Sequence, residues 1–150
     1  MDAPAAGLAV SILGMWKLVS RVDVDASGHM RTDPILGSDP LGVLCFAPGY
    51  FAAQFMKRNR SAPETPTQAV QGKNNSSAVN GYDAYFGTYS LDENAGTLSV
   101  HLEGSITPSS IGSTFIRDVR VSENELLIQL PTTAADGTPV TRTLTFSRIA

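Results

Sequence analysis

From Gly14 to Val24 the chain alternates between two kinds of side chain, and this alternation constrains the fold more than any other feature. Trp16, Leu18, Ser20, Val22 and Val24 fall on one side, and Met15, Lys17, Val19, Arg21 and Asp23 on the other. A period of two belongs to a β-strand, where successive side chains point to opposite faces. The mainly apolar side is expected to face a core and the charged side to face water. Trp16 is the chain's only tryptophan. Placed at the mouth of a first strand, a ring of that size can close the end of a β structure that has no helix to cover it.

The rest of the chain continues in the same style. Residues 1 to 11 are small and apolar and read as a loose arm or a short helical turn. Asp25-Ala26-Ser27-Gly28 is a turn signal, and Pro34, Gly37 and Pro40 mark an irregular connection with room for an edge strand. Leu41 to Ala47 and Tyr50 to Lys57 read as a hairpin about the tight link Pro48-Gly49. From Asn59 to Gly81 the composition changes to Pro, Gln, Asn, Ser and Gly, which predicts a long loop, either a cover for the mouth of the fold or an insertion without a role. Strands follow at Tyr82 to Leu91, Thr97 to Glu103, Thr114 to Val121, Glu125 to Leu130 and Val140 to Ile149, with turns at residues 92 to 96, 122 to 124 and 135 to 137. About eight sequential antiparallel strands, with no amphipathic helix of normal length, predict an up-and-down barrel. Closure removes the exposed edges of an open sheet. A sandwich is the alternative arrangement.

Length and charge narrow the functions. A chain of 150 residues fits one domain, residues 1 to 150, with enough core to fold without disulfides or metals. Its formal net charge of -3 and lack of a Lys/Arg cluster argue against a nucleic-acid partner. Cys45, the only cysteine, sits in Val43-Leu44-Cys45-Phe46 and reads as a small buried hydrophobe. No basic residue precedes the apolar run Ala5 to Leu13, and no apolar run approaches the length of a bilayer, so the cytosol is the expected location and no membrane is involved. Asn59, Asn74 and Asn75 open glycosylation sequons, which without an export signal read as loop asparagines. His29 and His101 have no Cys or His at ligand spacing, which speaks against a metal site. Neither a Gly-x-Ser-x-Gly elbow nor a phosphate-cradling glycine loop occurs.

Several of these residues recur together in one known family. Gly14-x-Trp16 resembles the G-x-W signature of lipocalins. Gly49-Tyr50, Gln54, Met56, Tyr85-Phe86-Gly87-Thr88-Tyr89, His101, Pro108, Gly112, Arg117 and Arg148 follow in the order found in the bacterial and fungal lipocalin-like domain family. Ile111 stands where that family often has an aromatic residue. The resemblance covers most of residues 12 to 149. It implies a small-molecule-binding barrel without a cofactor, in which Arg148 packs over Trp16 and Gly14, Trp16 and Arg148 serve stability. It further implies a protein that encloses one largely apolar organic molecule, as a cyclase or isomerase of natural-product biosynthesis (a pericyclase among them) or, in the alternative, as a non-catalytic carrier. A homodimer is compatible with such a barrel.

The lumen is the default site, since eight strands leave room for side chains or one small ligand. Gln54, Met56, Tyr85, Tyr89 and Gln129 are the candidate ligand contacts, and His101, Glu103 and Arg117 the candidate catalytic groups. His101 and Glu103 lie two apart, so both emerge on one face about 7 Å apart. In the functional reading His101 acts as acid or base near neutral pH, tuned by Glu103 or Arg117, while Tyr85 donates to a substrate oxygen. The same strand also reads the other way: Ser99, His101, Glu103 and Ser105 as a solvent face, with Leu98, Val100 and Leu102 filling the lumen. Arg117 shares its face with Phe115, Val119 and Val121, which favours an inward guanidinium with a polar partner.

Overall fold

The computed structural model describes residues 7 to 60 and 81 to 150. A single turn of helix, α1 (Leu8–Ser11), leads into β1 (Gly14–Asp25), and the chain continues through β2 (Met30–Arg31), β3 (Leu41–Ala47), β4 (Tyr50–Met56), β5 (Tyr82–Asp92), β6 (Thr97–Ser105), β7 (Thr114–Val121), β8 (Glu125–Thr133) and β9 (Pro139–Arg148). The strands from β3 to β9 pair each with its successor, and β1 pairs with both β3 and β9. That double pairing closes an eight-stranded antiparallel barrel, with β2 as an extra two-residue strand beside β1. Of the expected N-terminal arm at residues 1 to 11, residues 1 to 6 lie outside the described residues, as do residues 61 to 80 of the long loop expected at 59 to 81.

Alternation explains the barrel wall. Leu44 and Phe46 on β3, Phe51, Ala53 and Phe55 on β4, and Leu98, Val100 and Leu102 on β6 are all buried. Leu126, Ile128 and Leu130 on β8 and Leu144 and Phe146 on β9 complete this core. Each large side chain withdrawn from water contributes about 1.5–3 kcal/mol, which is why the register of every strand is fixed. Cys45 does not belong to this core. Standing between inward Leu44 and Phe46 and opposite Met15 and Ala52, it is carried to the outer face and is exposed.

The first strand departs from simple alternation. Leu18 pairs with Phe146 and Ser20 with Thr145, so Val19 is an extra residue opposite no partner, a β-bulge. Past it the phase inverts. Trp16 and Leu18 face inward as expected, but Arg21 and Asp23 follow them into the interior and Ser20, Val22 and Val24 take the outer phase. A second bulge inserts Glu103 between the pairs Gly87 with Leu102 and Phe86 with Gly104. It turns Ser105 inward, away from the side occupied by His101. Gly87 is obligatory here, because a β-carbon at that position would lie 1.9 Å from the carbonyl oxygen of His101.

The two ends of the barrel differ. At the end where β1 begins, Trp16 is fully buried, and its indole N–H donates to the Ile12 carbonyl at 2.9 Å. The Arg148 guanidinium lies over the indole at 4.1 Å and donates to the carbonyls of Leu13 (2.7 Å), Ser11 (2.6 Å) and Glu123 (3.0 Å). Gly14 has φ +122°, and a β-carbon there would meet the Ala150 carbonyl oxygen at 2.2 Å. The opposite end, where β4 finishes and β5 begins, is covered in part by the connection through residues 32 to 40, from which Leu36 and Asp33 are buried.

Candidate functional site

A cavity of about 110 Å³ lies inside the barrel. An engineered dry cavity of about 150 Å³ accepts benzene, so this space suits a group of about one ring. Its wall includes aromatic and aliphatic side chains, Phe46, Phe51, Phe55, Leu98, Ile128 and Phe146, and ionisable ones, Arg21, Asp83, Tyr85, Arg117 and Arg142.

The β1 bulge brings Arg21 into the ionisable wall and Asp23 beneath it. Asp23 and Arg142 are direct partners across β1 and β9, both inward, and make a two-pronged ion pair with the guanidinium Nε and Nη2 donating at 2.8 and 2.9 Å. Such parallel bonds are the strongest geometry available to this pair, and only strong geometry offsets the desolvation of two buried charges. Arg21 binds Asp33 at 3.0 Å, joining β1 to the connection that covers this end. Burial and the nearby Arg142 lower the Arg21 pKa, while Asp33 and Asp23 favour its charged form. Two arginines and two aspartates are thus ion-paired with one another.

Asp83, Tyr85 and Arg117 are not so matched. Asp83 is 6% exposed, and its Oδ1 has no hydrogen-bond partner among the described residues. Burial pushes its pKa up to about 7, against the opposing pull of Arg21, Ala84 N–H and Arg142. Tyr85, two residues on and on the same face, is pushed up to about 12, first by burial and then by Asp83. Its hydroxyl therefore keeps its proton. Arg117 makes no ion pair among the described residues; its guanidinium lies 4.8 Å from the Phe115 ring centre, and burial lowers its pKa. An uncompensated guanidinium and a phenol inside an apolar cavity are donors awaiting an oxygen.

Of the residues singled out from the sequence, Tyr85 and Arg117 line the cavity. Tyr89 packs edge-on against Phe46 and donates its hydroxyl to the Ala47 carbonyl at 2.8 Å, so its polar end is engaged with the β3–β4 turn. The others lie elsewhere. His101 and Glu103 are exposed on the outer face, because Leu98, Val100 and Leu102 take the inward phase of β6. His101 Nδ1 is 3.0 Å from Thr114 Oγ1, and Glu103 accepts a long bond of 3.5 Å from the Tyr50 hydroxyl. Gln54 and Met56 take the outer phase of β4 while Phe51, Ala53 and Phe55 face in, and Gln54 accepts a hydrogen bond from the Tyr82 hydroxyl. Gln129 is exposed and donates to Thr143 on the outside. Asp83, Arg21 and Arg142 are the residues that sequence reasoning missed. The signal for Asp83 was its position two before Tyr85; for Arg21 no signal was available without the bulge.

No helix among the described residues is long and apolar enough to cross a membrane, and no group of three or more potential metal ligands occurs among them. No curated protein matches the chain. Residues 13–149 match the family model of the lipocalin-like domain. A closed antiparallel barrel with an interior cavity, sealed at one end by Trp16 beneath Arg148, accompanies that match over nearly the whole chain, and the protein belongs to the lipocalin-like domain family.

Proposed function

We infer that this protein encloses one small, largely apolar organic molecule with an oxygen-bearing end and acts on it as a cofactor-free isomerase or cyclase, of the kind used in natural-product biosynthesis. The observation that carries the reading is the mixed lining of the cavity, apolar rings together with donors unpaired among the described residues. An apolar ring finds Phe46, Phe51, Phe55 and Phe146, while a carbonyl or carboxylate oxygen finds the guanidinium of Arg117 and the hydroxyl of Tyr85. Arg117 is half-buried and makes no ion pair among the described residues, so an oxygen bound there gives its guanidinium an acceptor. Holding a flexible substrate in a reactive shape supplies a large part of a barrier reduction even without acid–base help.

Isothermal titration with monocyclic ketones and monocyclic carboxylic acids tests the binding step. Uptake of one molecule per chain is expected, with affinity falling about tenfold or more in Arg117→Gln, because a charge-assisted hydrogen bond contributes about 1.5–3 kcal/mol. Equal affinity in wild type and Arg117→Gln would remove the arginine from the site. Incubation of a bound unsaturated precursor then separates enzyme from carrier: recovery of the unchanged compound from a stoichiometric complex supports a carrier.

A further inference from the structure

We propose that Asp83 is the proton-transferring residue of this cavity and that its substrate class is an enolisable carbonyl compound, with the carbonyl oxygen held by Tyr85 and Arg117. The proposal rests on the isomerase reading above and gives it a reaction. Its basis is geometric. Asp83 lines the cavity, is nine-tenths buried, and has one carboxyl oxygen without a hydrogen-bond partner among the described residues. Among the described residues, the other buried aspartates form ion pairs, Asp23 with Arg142 and Asp33 with Arg21, and Asp83 forms none. Asp83 and Tyr85 are residues i and i+2 of β5, so their side chains stand on one face about 7 Å apart at the backbone. That separation leaves the width of a carbonyl and its α-carbon between an acceptor on one side and a donor on the other.

The step balances without an external reactant. The carboxylate of Asp83 takes a proton from the carbon α to the carbonyl, the C–H pair becomes a C=C bond, and the carbonyl π pair moves onto oxygen, where the Tyr85 O–H and the Arg117 guanidinium stabilise the enolate. Asp83 then returns the proton, to the same carbon in simple exchange or to the γ-carbon of a β,γ-unsaturated ketone, giving the conjugated isomer. A carboxyl whose pKa stands near 7 is a stronger base than an ordinary aspartate and still populates its charged form at neutral pH. The charged and titratable groups around it are Arg21 from β1, Arg142 from β9, Arg117 from β7, Asp33 from the connection at residues 32 to 40 and Tyr85 from β5 itself. Tyr85 keeps its proton throughout the neutral range, and an inflection near pH 7 is assigned to Asp83.

Two probes test this, cyclohexanone in heavy water for α-hydrogen exchange by NMR, and 3-cyclohexen-1-one for conversion to the conjugated ketone by ultraviolet absorbance. Wild type is expected to accelerate both over buffer. Asp83→Asn, which keeps shape and removes the base, is expected to bind cyclohexanone within about threefold of wild type and to lose about 10²-fold or more of the rate. A wild-type rate that rises to a plateau with an inflection near pH 7 checks the same group without depending on how the variant folds. Binding of the probes without exchange, Asp83→Asn as fast as wild type, or a wild-type rate that follows hydroxide across the whole range would each overturn the assignment and leave the binding reading intact. Failure of wild type to take up either ketone would overturn both.

Discussion

The two ends of this barrel bury polar groups by opposite means. At the Trp16 end every donor is answered by main chain: the indole by the Ile12 carbonyl, and Arg148 by the carbonyls of Leu13, Ser11 and Glu123. At the Arg21 end charges are answered by other charged side chains, Arg142 by Asp23 and Arg21 by Asp33, and Asp83 and Arg117 are left facing the cavity. Main-chain acceptors cannot titrate or move away, so the first end is a rigid plug. A lattice of side chains that leaves one acid and one cation unmatched is instead a site, because a bound molecule can complete it.

If that contrast is right, the largest loss of stability comes from the plug. Trp16→Ala empties the position of the largest fully buried side chain among the described residues and is expected to cost about 3–5 kcal/mol in denaturant unfolding. A cost below about 1 kcal/mol would mean that the indole does not hold this end.

The charged end should respond in a way the plug cannot. Arg142→Met leaves Asp23 buried and unpaired and is expected to cost about 3–5 kcal/mol, whereas the double change Asp23→Leu with Arg142→Met should recover most of that loss, since a buried pair against its apolar replacement is often neutral. A double-mutant cycle on the two positions measures the coupling. If the double variant is as unstable as the single one, the residues hold the fold through separate contacts and the picture of a self-contained pair fails.

The same contrast governs what could be read in the sequence. The plug was legible through the family resemblance, which pairs the Gly14-x-Trp16 signature with an arginine near the end of the last strand, and the register sets Arg148 opposite Trp16. Strand boundaries were legible from alternation and turn residues, as with Pro48-Gly49 between β3 and β4. The lumen was not, because face assignment depends on phase and phase depends on bulges. One extra residue, Val19, sends Arg21 and Asp23 inward and withdraws Val22 and Val24; the alternation of β1 alone pointed the other way. Arg117 could be placed inside because it shares its face of β7 with Phe115 and Val119, and β7 pairs with both neighbours without a register shift. His101 could not be placed from family position alone, since an alternating strand offers both faces and only the packing of Leu98, Val100 and Leu102 chooses between them.

A smaller effect follows from Asp83. Its folded pKa, about 7, lies above the ordinary aspartate value of 3.8, so the folded state holds a proton that the unfolded chain releases between about pH 4 and 7. Stability from this group therefore falls as pH rises through that window, by at most about 1.4 kcal/mol per pH unit, and is level above it. Asp136, held down to about 2 by the Thr138 N–H and by Arg31, acts in the opposite sense and at lower pH, losing its contribution as pH drops below about 4. Thermal melts from pH 4 to 8 are expected to show the decline in wild type and a flatter profile in Asp83→Asn. Identical profiles would mean that Asp83 is hydrated or paired in solution.

The smallest expected effect is at His101, and it sharpens the comparison by exclusion. The inward phase of β6 belongs to Leu98, Val100 and Leu102, all buried, so the sheet itself stands between the imidazole and the cavity. On the outside the ring's hydrogen-bond contact is with Thr114 Oγ1 on the neighbouring strand, an exposed one. His101→Phe is therefore expected to change stability by no more than about 0.5 kcal/mol, as exposed substitutions usually do, and to leave the cyclohexanone exchange rate within about twofold of wild type. Paired with Asp83→Asn in the same assay, it tests which side of the wall carries the chemistry. A 10²-fold loss in His101→Phe with the fold intact would move the reacting groups to the outer face and leave the buried acid of the charged end without a function.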